Sequence, residues 1–293
     1  MLWRSGRRSE NIEDRRDADY AYDEQQGDAN SSGPRIRIGG KTLFVVIVVG
    51  LLMGKDPIQM LNLLSGLPEA PQHRPSKPTV SAPKNDEAAE FVSVILADTE
   101  DTWKQLLPSL GKHYREPHLV LFSQQINSAC GFSTAATGPF YCPGDEKVYI
   151  DLSFFQTLGQ LGAPGDFARA YVIGHEVGHH VQNILGISNK VHQLQQRLSA
   201  AQANALSVRL ELQADCYAGV WAYHANKQRK ILEAGDVEEG LQAAASIGDD
   251  RLQHNAGRRV SPESFTHGSS KQRVDWLLKG LHTGDVQACN TFS

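Results

Sequence analysis

Two histidines separated by three residues, with a glutamate directly after the first, constrain this chain more than any other feature. They are His175 and His179, and they lie inside a stretch with helical periodicity at 166–185. Positions four residues apart share one face of a helix, so both imidazoles can bind one metal ion. Glu176 falls beside that face, where a carboxylate can act as a general base without becoming a ligand. The spacing therefore predicts a metal-dependent hydrolase.

A zinc site that keeps a water molecule needs three protein ligands, so the motif requires a third. One known arrangement takes a histidine ten residues after the first, but that position is Leu185. A carboxylate from a second helix is the alternative, and Glu211 and Asp215 lie four residues apart on one predicted helix. Glu211 is the predicted third ligand of one Zn2+ per chain, and Asp215 is predicted to accept the ring N–H of a ligating histidine. Ordinary surface carboxylates remain the alternative for both acids.

Helical periodicity dominates the second half of the chain. Gly186 is expected to end the helix that carries the histidines, so that the helix with Glu211 can return and pack antiparallel against it. Alternating β-branched and aromatic residues predict strands at 118–122 and 147–152. The predicted fold class is α+β, predominantly helical, with a small β-sheet. Predicted helices cover 88–107, 166–185, 191–203, 205–227, 238–252 and 270–279.

The first 87 residues divide into three segments. Residues 1–37 are rich in charged residues, Asn, Ser and Gly, which predicts a disordered cytoplasmic tail. Residues 38–56 carry little charge and are predicted to form a single transmembrane anchor, with a buried core helix or a signal-peptide core as the alternatives. Frequent prolines predict an extended linker at 57–87, which leads to the folded catalytic domain at 88–293.

The charges around the apolar segment predict its orientation. Arg35, Arg37 and Lys41 precede the uncharged run at 42–54, and only Lys55, partly offset by Asp56, follows it. The positive-inside rule then places the N-terminus in the cytoplasm and the domain outside it. The formal net charge of -4 and the pI near 6.3 give no basic surface for nucleic acid, so a nucleic-acid partner is not expected.

Four cysteines allow three disulfide pairings. Cys130 and Cys142 would close a short loop that contains Gly and Pro, and Cys216 and Cys289 would then form the second disulfide. Four reduced thiols are the alternative, which export from the cytoplasm would disfavour. A zinc–cysteine site is not expected, because no CxxC spacing occurs.

The sequences HEVGHH, from residue 175, and ELQADCYAGVWA, from residue 211, resemble the bacterial family called "putative neutral zinc metallopeptidases". The resemblance implies an anchored zinc peptidase with a zincin-like domain and a gluzincin-type site, in the inner membrane and facing the periplasm or the cell exterior. In it, His175, His179 and Glu211 bind zinc, Glu176 is catalytic, and the substrate is a protein or peptide. The similarity covers nearly the whole chain and includes residues 3–4, 15–16, 130–143, 248–251, 266–268 and 289–292.

Three other residues are considered for roles near the metal. His267, in a Thr-His-Gly sequence, is a candidate donor to the oxyanion of peptide hydrolysis. The strand around Tyr149 is a candidate for pairing with the substrate backbone. His180 points about 100° away from the neighbouring histidine and is predicted to be a packing or surface residue. The alternative function is a zinc-containing envelope binding or assembly-factor module with little or no proteolysis, which shares these features.

Overall fold

The computed structural model describes residues 1–17 and 86–292, in which eight α-helices combine with two small sheets. The predicted class, α+β and predominantly helical, is confirmed for these residues. The helices are α1 (Glu87–Leu106), α2 (Ser153–Gln160), α3 (Asp166–Leu185), α4 (Ile187–Gln195), α5 (Ala200–Arg229), α6 (Asp236–Ser246), α7 (Asp249–Asn255) and α8 (Ser270–Thr283). The strands are β1 (Ile12–Asp14), β2 (His118–Phe122), β3 (Gln125–Ser128), β4 (Gly131–Thr134), β5 (Phe140–Cys142) and β6 (Lys147–Asp151).

The larger sheet has the strand order β1-β2-β6-β5. β2 is parallel to both of its neighbours, whereas β5 runs antiparallel to β6, and β3 and β4 form a separate hairpin. The predicted strands at 118–122 and 147–152 are confirmed as β2 and β6. Because β6 has a partner on each side, the prediction that the strand around Tyr149 pairs with a substrate is wrong. Among the described strands, β5 is the sheet edge that contacts helix α3.

Residues 1–17 are an integral part of this fold. β1 pairs with β2, so that Ile12 lies opposite Leu119. Trp3 is buried, and its ring packs edge-on against Phe91 of α1 at a centroid distance of 5.2 Å. The prediction of a disordered tail is therefore wrong for this segment.

Ion pairs across long sequence separations explain that error. Arg7 bonds the buried carboxylate of Glu100, 93 residues later in the chain. Arg16 pairs with Asp86, 70 residues later, at the start of α1. A charge-rich segment has the composition of a solvated tail, and the partners that order it are visible only in three dimensions.

The predicted anchor at 38–56 and most of the predicted linker at 57–87 lie outside the described residues. None of the helices in the described part of the chain combines the length and hydrophobicity that a membrane span needs. The strand pairing bears on the predicted orientation. A single crossing at 38–56 would put β1 and β2 on opposite sides of the membrane, where they could not pair. The sheet therefore requires residues 12–14 and 118–122 on the same side of any membrane.

Helix α5 is longer than predicted. It is a single helix of 30 residues, where the periodicity predicted a helix at 191–203 followed by another at 205–227. Ser199 and Gln202 form a capping box at its start, which satisfies free backbone N–H groups and separates α5 from α4. The break therefore lies before residue 200, where the local hydrogen bonds begin a new helix.

The other helix boundaries follow from glycines. α3 covers the predicted 166–185 and ends at Gly186, which adopts the left-handed conformation with φ 77°. The predicted helix at 238–252 is divided into α6 and α7 at Gly248. There the chain passes the start of α8 so closely that a Cβ would lie 2.3 Å from the Ser270 nitrogen.

Both predicted disulfides are formed. Cys130 and Cys142 are bonded with an S–S distance of 2.04 Å, which ties the β3–β4 hairpin to β5. Cys216 and Cys289 are bonded with an S–S distance of 2.01 Å, which ties the C-terminal segment to α5. No cysteine of the chain is free.

Candidate metal centre

Helices α3 and α5 pack closely and run antiparallel, as predicted. A Cβ at Gly174 of α3 would lie 3.5 Å from the Cβ of Ala218, and a Cβ at Gly178 would lie 2.9 Å from the carbonyl oxygen of Ala214. Contacts that advance by four residues along α3 thus go back by four along α5, which defines the antiparallel direction. The small residues at these positions let the two backbones approach closely. Larger side chains on the facing sides of α3 and α5 can therefore meet across the contact.

His175, His179 and Glu211 meet at this contact. The two Nε2 atoms of the histidines are 3.2 Å apart. A carboxylate oxygen of Glu211 lies 3.2 Å from Nε2 of His175, and the other lies 3.3 Å from Nε2 of His179. One donor atom from each residue lies within 4.8 Å of the others, an arrangement that could hold a metal ion.

The donor set fits zinc. Imidazole nitrogen and carboxylate oxygen bind zinc at about 2.0–2.2 Å, and in a tetrahedral site with such bonds neighbouring donors are about 3.3 Å apart. The 3.2 Å between the two histidine nitrogens agrees with that spacing, and each carboxylate oxygen of Glu211 lies at a similar distance, 3.2 or 3.3 Å, from one of these nitrogens. Two nitrogens and one carboxylate leave one tetrahedral position without a protein ligand, as in catalytic rather than closed structural zinc sites.

Asp215 orients His175. Its Oδ1 accepts a hydrogen bond from Nδ1 of His175 at 2.8 Å, so that Nε2 of the same ring is left to face the metal position. The hydroxyl of Tyr171 donates to the same oxygen at 2.5 Å. Asp215 is completely buried, which distinguishes it from an ordinary surface acid.

Arg273 of α8 completes this buried group, and the sequence analysis missed it. Its guanidinium donates to both carboxylate oxygens of Asp215, with Nε and Nη2 each at 2.9 Å. Burial alone would raise the pKa of Asp215, but the charges of Arg273 and His175 hold that pKa below its usual value. The carboxylate therefore stays ionised. Arg273 follows Asp215 by 58 residues, and no local pattern connects the two positions.

Glu176 lies on α3 between the two histidines. It is 7% exposed, and its charge acts on the neighbouring His179. Its carboxylate makes no hydrogen bond within residues 1–17 and 86–292. Among the described residues, the Glu176 carboxylate is therefore enclosed without being committed to a hydrogen bond.

His180 is a packing residue, one of the two roles predicted for it. It is completely buried, and its Nε2 donates to the backbone carbonyl of Arg115 at 2.6 Å. With that tautomer, Nδ1 accepts a hydrogen bond from the hydroxyl of Tyr141 at 3.0 Å. Tyr141 belongs to β5, so His180 fixes the edge strand of the sheet against the helix that carries His175 and His179.

His267 is not part of the ligand triangle, but it lies beside the helix that carries Glu211. A Cβ at the next residue, Gly268, would lie 3.2 Å from Val208 and 3.3 Å from Leu212, on either side of that glutamate in sequence. The ring is about half exposed.

Asp249 holds this loop. Its Oδ2 accepts the backbone N–H groups of residues 266–268 at 2.7–3.0 Å, and its Oδ1 lies 3.3 Å from Nδ1 of His267. The hydrogen bond to Asp249 raises the pKa of His267, against the opposing effect of burial. The structure thus presents His267 as an imidazole held by Asp249 and Thr266 beside the helix that carries Glu211, and a sequence pattern could not have shown that Asp249 orients it.

Comparison with known proteins agrees with this site. The family model described as "Putative neutral zinc metallopeptidase" matches residues 1–292, and the chain belongs to that family. It is 49% identical to the Escherichia coli (strain K12) protein named uncharacterized protein YpfJ, over 100% of this chain and 99% of that protein. It is 46% identical to uncharacterized protein Mb2605 of Mycobacterium bovis, over 65% of this chain and 66% of that protein. No solved structure matches the chain.

Proposed function

We propose that this chain is a zinc-dependent metallopeptidase that hydrolyses peptide bonds, with His175, His179 and Glu211 as the metal ligands. The observation that carries the proposal is the convergence of these three side chains, 3.2–3.3 Å apart. The helix that carries the two histidines also carries Glu176, whose carboxylate makes no hydrogen bond among the described residues. Membership of a zinc metallopeptidase family supports the same metal and the same class of reaction. A zincin-like arrangement of the domain is part of the proposal.

Zinc at this site would supply a Lewis acid for the scissile carbonyl and would lower the pKa of a water molecule towards about 7. Glu176 is proposed to take the proton of that water as general base and to return it to the leaving amine as general acid. Its place on the same helix as His175 and His179 supports this role. If this role is right, Glu176→Gln, which replaces the carboxylate by a carboxamide, should keep the metal bound and stop the proton transfer.

His267 is proposed to donate a hydrogen bond to the oxyanion that forms on the scissile carbonyl. The loop that carries it packs beside Glu211, and Asp249 fixes both its backbone and its ring. Its raised pKa favours the protonated imidazolium, in which both ring nitrogens are donors.

The substrate backbone is proposed to pair with β5, the described sheet edge beside α3. The hydrogen bond between Tyr141 of this strand and His180, the residue after His179, supports a position of this edge beside the site. An extended peptide can add to such an edge through main-chain hydrogen bonds. Cleavage of peptides in which single backbone amides are methylated tests this placement, because pairing predicts loss of cleavage at alternate positions and equal cleavage of all the peptides would exclude it.

The proposed function is tested by elemental analysis of the purified full chain, together with cleavage of casein and a peptide library with and without a chelator. A fragment from residue 85 onwards is unsuitable, because it lacks β1 and Trp3. One zinc per chain, lost in Glu211→Ala, with cleavage that the chelator abolishes, is the expected result. Zinc without cleavage would favour a binding or assembly-factor module, and a chain without zinc would exclude both functions.

We also propose that the domain and residues 1–17 share one oxidising compartment. Two disulfides support an oxidising environment. The pairing of β1 with β2 requires both strands on the same side of any membrane. Labelling of intact cells with a membrane-impermeant thiol reagent tests this: cysteines introduced at the exposed Leu2 and Leu252 should react alike. Labelling of only one of them would refute the shared compartment.

A further inference from the structure

The two ligand histidines are oriented by chemically different groups. His175 donates to a carboxylate that is itself bound by an arginine. Nδ1 of His179 instead lies 2.9 Å from Oε1 of Gln182, one turn later on the same helix. Because an amide oxygen only accepts hydrogen bonds, this contact requires the proton of His179 on Nδ1 and leaves Nε2 free to face the metal.

The surroundings of Gln182 determine which way its amide points. Its Nε2 donates to the backbone carbonyl of Leu210 at 2.7 Å and to Oε1 of Gln213 at 3.1 Å. In the opposite orientation the amide oxygen would face the Leu210 carbonyl, and two acceptors would meet without a proton between them. The side chain is completely buried, so no water can relieve that contact. The oxygen must therefore face His179.

Gln213 continues the chain of hydrogen bonds to the C-terminal segment. Its Nε2 donates to the backbone carbonyl of Cys289 at 3.0 Å, and it is only 3% exposed. The disulfide between Cys289 and Cys216 fixes that carbonyl beside α5. The hydrogen bonds to Leu210 and Gln213 also reach α5 on both sides of Glu211, so they set the separation between the second histidine and the third ligand.

We propose that Gln182 and Gln213 form a buried amide relay that selects the zinc-binding tautomer of His179 and holds its ring at the correct distance from Glu211. The inference rests on the proposed function in that it takes His179 as a zinc ligand. Both glutamines are positioning residues, since neither has an atom in the ligand triangle. Groups that hydrogen-bond to metal ligands typically change metal affinity about 10- to 100-fold when they are replaced.

The relay is tested by zinc affinity, measured by competition with a chromophoric chelator at fixed pH on the full chain. Gln182→Met keeps the length of the side chain but removes the acceptor for His179, and is expected to raise the zinc Kd about 10- to 100-fold. Gln213→Met should raise it less, because Gln182 keeps its bond to Leu210. Gln195→Met is the matched control: its amide bonds Ala203 and Ser207 but is not connected to the metal, so the Kd should stay within about twofold.

A second measurement separates positioning from general destabilisation. In zinc-loaded wild type, the Nδ1 proton of His179 should give a slowly exchanging ring N–H signal by NMR, and this signal should be lost in Gln182→Met. Unchanged Kd and an unchanged signal in this variant would overturn the relay. If it does not fold, the Kd of Gln213→Met decides instead, and a value within twofold of wild type would count against the relay. Absence of zinc from the wild-type chain would refute the proposed function itself, and the relay with it.

Discussion

Replacing Trp3 by alanine tests whether the N-terminal segment is part of the domain. The indole is 4% exposed, packs against Phe91 and donates a hydrogen bond from Nε1 to Asp166 at 3.3 Å. Truncation of a buried Trp to Ala costs about 3–5 kcal/mol through lost burial and the cavity that remains. For a domain of this size, each kcal/mol lowers the melting temperature by about 2–4 °C, so Trp3→Ala should lower it by about 6–20 °C.

The assay is thermal unfolding of the full chain, followed by circular dichroism. Leu2→Ala is the matched control, because Leu2 is the preceding apolar residue and is 55% exposed, so its truncation should change stability by no more than about 0.5 kcal/mol. A melting temperature of Trp3→Ala within about 1 °C of that of Leu2→Ala would be far below the expected shift and would refute the reasoning. It would mean that residues 1–17 are not docked in solution, and a single crossing at 38–56 would again be compatible with the fold.

Three further substitutions test the site and its support. Glu176→Gln should retain one zinc per chain and lower kcat by about 10²–10⁴, since only proton transfer is removed; near wild-type turnover would exclude Glu176 as the base. His267→Ala should retain zinc and lower kcat by about 10²–10³, and an unchanged kcat would remove His267 from the mechanism. Gly280→Ala should destabilise the chain in urea by about 1–3 kcal/mol, because the new Cβ would lie 2.0 Å from the Cys216 carbonyl oxygen; unchanged stability would show that α8 packs less closely on α5.

The pairing of His175 with His179 was predictable because it depends on local spacing. Positions 175 and 179 share a face of any α-helix, and Gly186 ends that helix in a way that sequence reveals. Glu211 and Asp215 are also four residues apart on an α-helix, so they share a face as well. Only the packing of this helix on α3 remained to be established.

The groups that orient the ligands were not predictable in the same way. Arg273 contacts Asp215 from another helix, and Gln182 was hidden among ordinary polar residues of the helix that carries the motif. A buried glutamine and a surface glutamine have the same sequence signature when the helix is polar on more than one face. The docking of residues 1–17 was missed for a related reason, because charge-rich composition does not reveal distant partners.

The N-terminal segment and the metal centre are connected through α3. Trp3 donates its hydrogen bond to Asp166, the first residue of that helix, and His175 lies nine positions later on it. A helix transmits a displacement of its first turn along its axis, because every backbone hydrogen bond joins residues four positions apart. Loss of the Trp3 contact should therefore weaken zinc binding as well as stability, although Trp3 touches no ligand. A chelator competition on Trp3→Ala at a temperature where the variant is fully folded distinguishes the two effects: a Kd equal to that of Leu2→Ala would show that the N-terminal segment stabilises the domain without influencing the geometry of the site.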